Sequence, residues 1–291
     1  MEQAGKGAWE AVETAYAKVN LALHVRARRP DGYHAIESLF VFAQDGDRLA
    51  GAGTDNGAIE LKIDGPFGGG LDAGSGNLVM RAARALQSFL GEHRGARLHL
   101  TKNLPIASGI GGGSADAAAA LRLLSRLWDV RIGSDELAGL ALDLGSDVPA
   151  CVTSVTQWVR GRGERLDVQE VAGLANRPML LVNPGVPVST ARVFGGWDGH
   201  DRGALHAESL DALIAEGRND LEAPAMALAP EIGGALAALR ALSAVRVARM
   251  SGSGATCFAL FDRREDAARA GAVLRRAHPQ WWVMATEIRT A

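Results

Sequence analysis

The sequence predicts an α+β protein of two domains. Its 291 residues suit two bodies of ordinary size. Segments of strand period and of helix period are mixed along the chain. The second half reads strand–helix–strand–strand–helix–strand, the order of an α+β sandwich. Hydrophobic residues at 47% and charged residues at 22% are enough to build a core, which excludes a mainly disordered chain. The first domain is expected over residues 1–167 and the second over 168–291.

Ala15 to Arg26 alternates as a strand, with Val19, Leu21, Leu23 and Val25 on one face and Lys18, Asn20 and His24 on the other. Arg29-Pro30-Asp31-Gly32 is a turn. Apolar residues return over Ile36–Phe42, and Ile59–Ile63 alternates again. Asn77 is placed to cap a helix running to about Leu90, with Leu78, Ala82, Ala85, Leu86 and Phe89 as its stripe. Arg97–Thr101 reads as a strand, and a helix follows from Ser114 with Ala118, Leu121, Leu124 and Leu127. Ser134, Asp135 and Glu136 open another helix, which Gly145 ends; Pro149 is expected to hold Val148 out of helical geometry. In the second half Pro178–Val182 is a strand, Pro230–Leu242 a helix, and Val245–Met250 and Thr256–Phe261 are strands. Asp266–Ala277 is a helix and Trp281–Ile288 the last strand.

Of the 36 glycines, those from Gly51 to Gly76 read as loose connections. Two other groups are tied to regular structure: Gly109-Ile110-Gly111-Gly112-Gly113-Ser114 and Ser251-Gly252-Ser253-Gly254. A formal charge of −2 argues against broad nucleic-acid binding. Cys151 and Cys257 lie far apart with no ligand spacing, and read as small buried apolar residues. The stretch Met1–Thr14 carries Glu2, Glu10 and Glu13 and has no apolar core, so no secretory signal is expected there. No apolar run is long enough to cross a membrane. The expectation is a soluble, cytoplasmic protein without membrane or nucleic-acid partners.

A strand leading into four glycines within five residues and then a helix suits anion binding. Unpaired N–H groups at a helix start carry partial positive charge, and glycine lets backbone approach a phosphate closely. A flexible turn with a capping Ser114 is the alternative. The run is neither a Walker loop nor a dinucleotide fingerprint. Asp147 lies among Leu144, Val148 and Ala150 just after a helix, which suits a base; a plain turn residue is the alternative. Lys18 alone reads as a solvated strand-edge lysine, as a lone lysine in a strand usually is.

Taken together, these pieces resemble the GHMP kinase superfamily. Ala17-Lys18-Val19-Asn20-Leu21 matches its first motif. Pro105, Ile106, Ala107, Ser108, Gly109, Ile110, Gly111, Gly112, Gly113 and Ser114 match its phosphate loop, and Met250-Ser251-Gly252-Ser253-Gly254-Ala255 its third motif. Arg28-Arg29-Pro30-Asp31-Gly32-Tyr33-His34 is similar to the signature of the family acting on 4-diphosphocytidyl-2-C-methyl-D-erythritol. Gly145-Ser146-Asp147-Val148-Pro149, Asn183-Pro184-Gly185 and Asn219-Asp220-Leu221-Glu222 match it too.

That resemblance implies a ribosomal-protein-S5-like ATP-binding domain followed by a ferredoxin-like α/β sandwich that binds substrate. It implies transfer of the ATP γ-phosphoryl group to the 2-hydroxyl of the methylerythritol, in the non-mevalonate route to isoprenoid precursors. Asp147 would accept the hydroxyl proton, and Lys18 would keep Asp147 ionised and stabilise the transferring group. Pro105 to Ser114, with Asn77 and Lys102, would bind ATP. Mg2+ would accompany the nucleotide, with Ser114 as a ligand and no dedicated metal site. Tyr33, His34 and Phe194 would hold the cytidine, and Asn20, Thr190, Gly252 and Ser253 the rest of the substrate. A monomer or weak homodimer is expected.

The sequence departs from the family at Ser114-Ala115-Asp116, where Ser-Ser-Asn is usual. Asp116 is expected in the first helical turn, directed away from phosphate. A kinase for another alcohol, such as mevalonate or homoserine, and a non-catalytic nucleotide-binding protein are the competing readings. Phe194 as core packing and His34 as a turn residue are the competing local ones.

Overall fold

A computed structural model describes residues 9–290; the expectation for the first eight residues lies outside them. Contacts divide the chain into two compact units, each discontinuous in sequence. One comprises residues 9–15, 46–104 and 113–152, the other 16–45, 105–112 and 153–290. The sequence suggested a single cut near Val168. The grouping differs because two long strands, β1 (Ala11–Arg28) and β2 (His34–Thr54), each contribute to both units.

In the first unit, β3 (Ile59–Asp64) pairs parallel to β4 (Gly95–Thr101), and β4 pairs antiparallel to β2 from Arg48 to Thr54. Helix α1 (Leu78–Leu90) starts as expected: Asn77 Oδ1 accepts from Val79 N–H at 2.9 Å. Helix α2 (Gly112–Leu127) begins two residues earlier than Ser114, so Asp116 falls beyond its first turn. Its run Ala117–Ala120 is fully buried; alanine pairs high helix propensity with a side chain small enough for close packing. Gly51 and Gly53 are not loose connections. They lie in β2 opposite Leu98 and Ala96, and a Cβ on Gly51 would stand 2.6 Å from Leu123 Cδ2 of α2. Helix α3 (Ser134–Leu144) ends at Gly145. Val148, contrary to expectation, is helical and opens α4 (Val148–Thr153), because proline is tolerated in a first turn where its missing N–H has no partner to lose.

In the second unit, β2 pairs from Ile36 to Phe40 with β5 (Gln157–Gly161), which pairs with β6 (Arg165–Val168). The sandwich is as expected. Strand β7 (Pro178–Asn183), helix α5 (Thr190–Gly195), α6 (Leu210–Glu216), α7 (Glu222–Leu228) and α8 (Glu231–Arg240) come first. Then follow β8 (Val245–Met250), β9 (Cys257–Phe261), α9 (Arg264–Ala277) and β10 (Trp282–Glu287). The sheet order is β10-β7-β9-β8, antiparallel throughout. All six residues of β7 and all five of β9 are buried. These central strands therefore read as continuous apolar runs. No helix among the described residues is long and apolar enough to cross a membrane.

Candidate functional site

The strand bearing Lys18 is buried on both faces from Ala17 to Val25, so its polar residues need partners rather than solvent. Lys18 is 4% exposed and is no solvated edge residue. Its ammonium donates to Asn20 Oδ1 at 2.9 Å and lies 4.3 Å from the Phe40 ring centroid. Asn20 Nδ2 donates to Ser38 Oγ at 2.9 Å, and Ser38 Oγ donates to Ala22 O at 2.6 Å.

From this strand the network runs to both glycine groups. Lys18 N–H donates to Ile110 O at 3.0 Å, and Asn20 N–H donates to Ser251 Oγ at 3.1 Å. Ser251 Oγ donates to Gly109 O at 3.0 Å, and Thr256 N–H donates to Ser108 O at 3.0 Å. Gly109 and Gly111 have φ of +78° and +64°. A Cβ on Gly111 would reach 3.1 Å from Lys18 Cε, and one on Gly252 3.1 Å from Gly109 O. Glycine there is a condition for the strand, the first loop and the second loop to touch.

Within the loop, Pro105, Ser108 and Ile110 are buried, while Ile106, Ala107 and Gly113 are exposed. Ser108 Oγ is spent on Pro105 O at 2.6 Å. The Ser251–Gly254 loop is braced by Asn219, whose Nδ2 donates to Met250 O and Gly252 O, both at 2.8 Å. Asn219 belongs to a quoted motif but carried no assigned role, and nothing in one sequence pairs it with a loop 30 residues on. Thr190 Oγ1 lies 2.9 Å from Ser253 Oγ.

Thr190 and Phe194 lie four residues apart on α5, which brings the second loop toward the aromatic residues. The His34 ring centroid is 5.1 Å from Phe194 and 5.7 Å, edge-on at 84°, from Trp197. Arg28 joins the two segments by donating to Gly195 O and Trp197 O at 3.0 and 2.9 Å. Burial, then the Arg28 charge, lowers the His34 pKa, so its ring is neutral at pH 7. Tyr33 is 60% exposed, with the Arg162 guanidinium 5.3 Å from its ring.

The first unit holds Asn77, Lys102, Gly113, Ser114 and Asp147. Asp147 sits between α3 and α4, and its carbonyl accepts from Cys151 N–H at 3.2 Å. Asn77 is engaged on both sides, as cap and through Nδ2 to Asp72 O at 2.9 Å.

Lys102 is buried between two carboxylates, Asp47 and Asp116, the latter at 2.6 Å. Asp47 Oδ1 also accepts from Asn103 and Leu104 N–H at 2.5 and 2.8 Å. The cluster fastens α2 and the end of β4 together. Burial pushes the Asp116 carboxyl up to about 7, against the pull of Lys102. The same two acids hold Lys102 protonated, above its ordinary value despite burial. The Lys102 and Asp116 side chains are thus engaged with each other, and Lys102 with Asp47 as well. Asp47 was missed, since one acid in the polar stretch within β2 carries no periodic signal. Among the described residues no group of three or more His, Cys, Asp or Glu could hold a metal ion.

The chain matches the GHMP kinases N terminal domain over residues 77–154 and the GHMP kinases C terminal domain over 202–280. A relative in Rhizorhabdus wittichii, named 4-diphosphocytidyl-2-C-methyl-D-erythritol kinase, is 49% identical over 95% of this chain and 94% of its own. One of the same name in Sphingopyxis alaskensis is 50% identical over 95% and 98%. The crystal structure of a 4-(cytidine 5'-diphospho)-2C-methyl-D-erythritol kinase superposes with a TM-score of 0.81 at 35% identity, covering 95% of this chain and 99% of that one.

Proposed function

Because the chain belongs to the GHMP kinases, and within them to the 4-diphosphocytidyl-2-C-methyl-D-erythritol kinase family, it is an ATP-dependent kinase of isoprenoid precursor formation, and we propose that it phosphorylates the 2-hydroxyl of 4-diphosphocytidyl-2-C-methyl-D-erythritol, releasing ADP. The observation that supports the acceptor assignment is the His34–Phe194 ring pair at 5.1 Å, aromatic residues of the kind a nucleobase uses, while the network Lys18–Asn20–Ser251–Gly109 fixes a buried cation beside both glycine loops.

The loop fits a polyphosphate. Its glycines at positive φ and the start of α2 present backbone rather than side chains, and Ser114 supplies a hydroxyl. ATP bound there supplies the γ-phosphoryl group, and the Mg2+ it carries offsets phosphate charge. Ser114, in the first turn of α2, is the side chain that would touch the ion.

Asn20 orients the Lys18 ammonium, and Phe40 covers it from water, so its charge is little screened. In this reading Asp147 takes the proton of the attacking hydroxyl, and Lys18 steadies the negative charge on both carboxylate and phosphoryl oxygens. Transfer is direct, and the protein contributes position and electrostatics. Thr190, Gly252 and Ser253 bound the acceptor, while His34, Phe194 and Tyr33 take the cytidine.

Asp147→Asn tests the assignment. It keeps the shape and removes the base, so turnover should fall by about 10²–10⁴-fold with cytidine ligand affinity unchanged. Full turnover would overturn the role of Asp147.

A further inference from the structure

The pyrimidine end of the second unit contains a polar group that no assignment uses. Trp197 is 4% exposed, and its indole Nε1 has no hydrogen-bond partner among the described residues; the same holds for His34 Nε2. Both rings belong to one edge-on pair. Buried indole N–H groups in folded proteins are almost always paired, because an unmade bond leaves the desolvation of the donor uncompensated. Two orphaned nitrogens on adjoining rings mark a place where a ligand with its own polar edge belongs.

The surroundings fit that view. Phe194 lies against His34 at 5.1 Å, the two rings tilted by 37°. A base stacked between the two rings would need more room than that separation leaves. Phe194 is only partly buried and stands at the end of the six-residue α5, followed by Gly195 and Gly196. A Cβ on Gly195 would meet nothing within 4 Å. Trp197, by contrast, is anchored in the sandwich core and held at its carbonyl by Arg28. Phe194 is thus the less enclosed of the two rings against His34 and Trp197 the more enclosed.

Resting on the cytidine reading above, we infer that Trp197 is a further recognition residue. Its indole N–H donates to an acceptor oxygen on the pyrimidine edge after Phe194 swings off His34. Indole nitrogen only donates, so its partner must be an acceptor such as the ring carbonyl. Neutral His34 takes the neighbouring ring position as donor or acceptor.

The test uses full-length protein and cytidine 5'-diphosphate as the probe. Calorimetric titration of the wild type should show binding, and Trp197→Phe, which keeps a ring but loses the N–H, should bind about tenfold more weakly. In turnover assays the same variant should raise the acceptor KM with ATP KM and kcat nearly unchanged. A purely structural role would instead lower thermal stability and leave affinity alone. Should the variant fail to fold, the wild type still answers: one of its six tryptophan indole N–H resonances should move on adding the probe. Wild type that binds the probe with no indole response, or equal affinity in Trp197→Phe, overturns the role of Trp197 alone. Wild type that does not bind the probe overturns the cytidine reading as well.

Discussion

Asp116→Asn is the perturbation that most sharply tests the buried Asp47–Lys102–Asp116 cluster. Two carboxylates share one ammonium there, and one Asp116 oxygen has no hydrogen-bond partner among the described residues. Burial raises the Asp116 carboxyl from 3.8 to about 7. A group whose value is raised by folding favours the fold when protonated. Its stabilising share is complete below the unfolded value and is lost as pH climbs through the folded one. Between pH 5.5 and 8.5 those two values give a loss of about 2 kcal/mol in the wild type. Asparagine cannot ionise, yet its oxygen still accepts from Lys102, so the variant escapes that loss. Lys102, raised as well, keeps its contribution until above its own range and stays charged throughout the window. Other titrating groups act alike in both proteins and cancel. For 291 residues, unfolding entropy of about 0.6 kcal/mol/K converts the change to about 3 °C. Thermal melts of both proteins at pH 5.5, 7 and 8.5 should therefore show the variant gaining on wild type by about that amount across the range. A constant or shrinking gap would refute the reasoning.

Gly111→Ala would place a methyl 3.1 Å from Lys18 Cε at a φ of +64°. Left-handed strain of about 1–2 kcal/mol should lower the melting temperature by about 2–3 °C, and a displaced lysine should lower kcat/KM at least tenfold in a turnover assay. Asn219→Ala removes the bonds to Met250 O at the end of β8 and to Gly252 O in the loop after it. It should cost about 1–3 kcal/mol in denaturant titration and raise the acceptor KM. Gly51→Ala forces a Cβ to 2.6 Å from Leu123 Cδ2. Overpacking there should destabilise by about 1–3 kcal/mol with kinetic constants intact.

The sandwich was legible because its order rests on local signals: apolar runs for β7 and β9, periodic stripes for α8 and α9. Lys18 and the glycine loops were legible as motifs. Their joining through Ser38, Ser251 and Asn219 was not, since hydrogen bonds between separate segments of the chain, Asn20 to Ser251 across 231 positions among them, leave no periodic trace. Gly51 misled for a related reason. A strand glycine and a loop glycine read alike until the helix that needs its missing side chain, here through Leu123, is in place. Val148 misled because a proline that blocks helix on its N-terminal side also begins one. Asp116 looked like a departure from a phosphate-binding pattern, yet its carboxylate belongs to a buried ion cluster with Lys102, a partnership that only the packing of α2 on β4 creates.

The central claim is the choice of acceptor, and the most direct measurement is ADP release by the purified protein with ATP, Mg2+ and one alcohol at a time. Turnover with 4-diphosphocytidyl-2-C-methyl-D-erythritol, with phosphate appearing on the 2-hydroxyl and none released on mevalonate or homoserine, is the result expected. No turnover on the cytidine-linked alcohol, or faster turnover on either of the other two, would contradict the account.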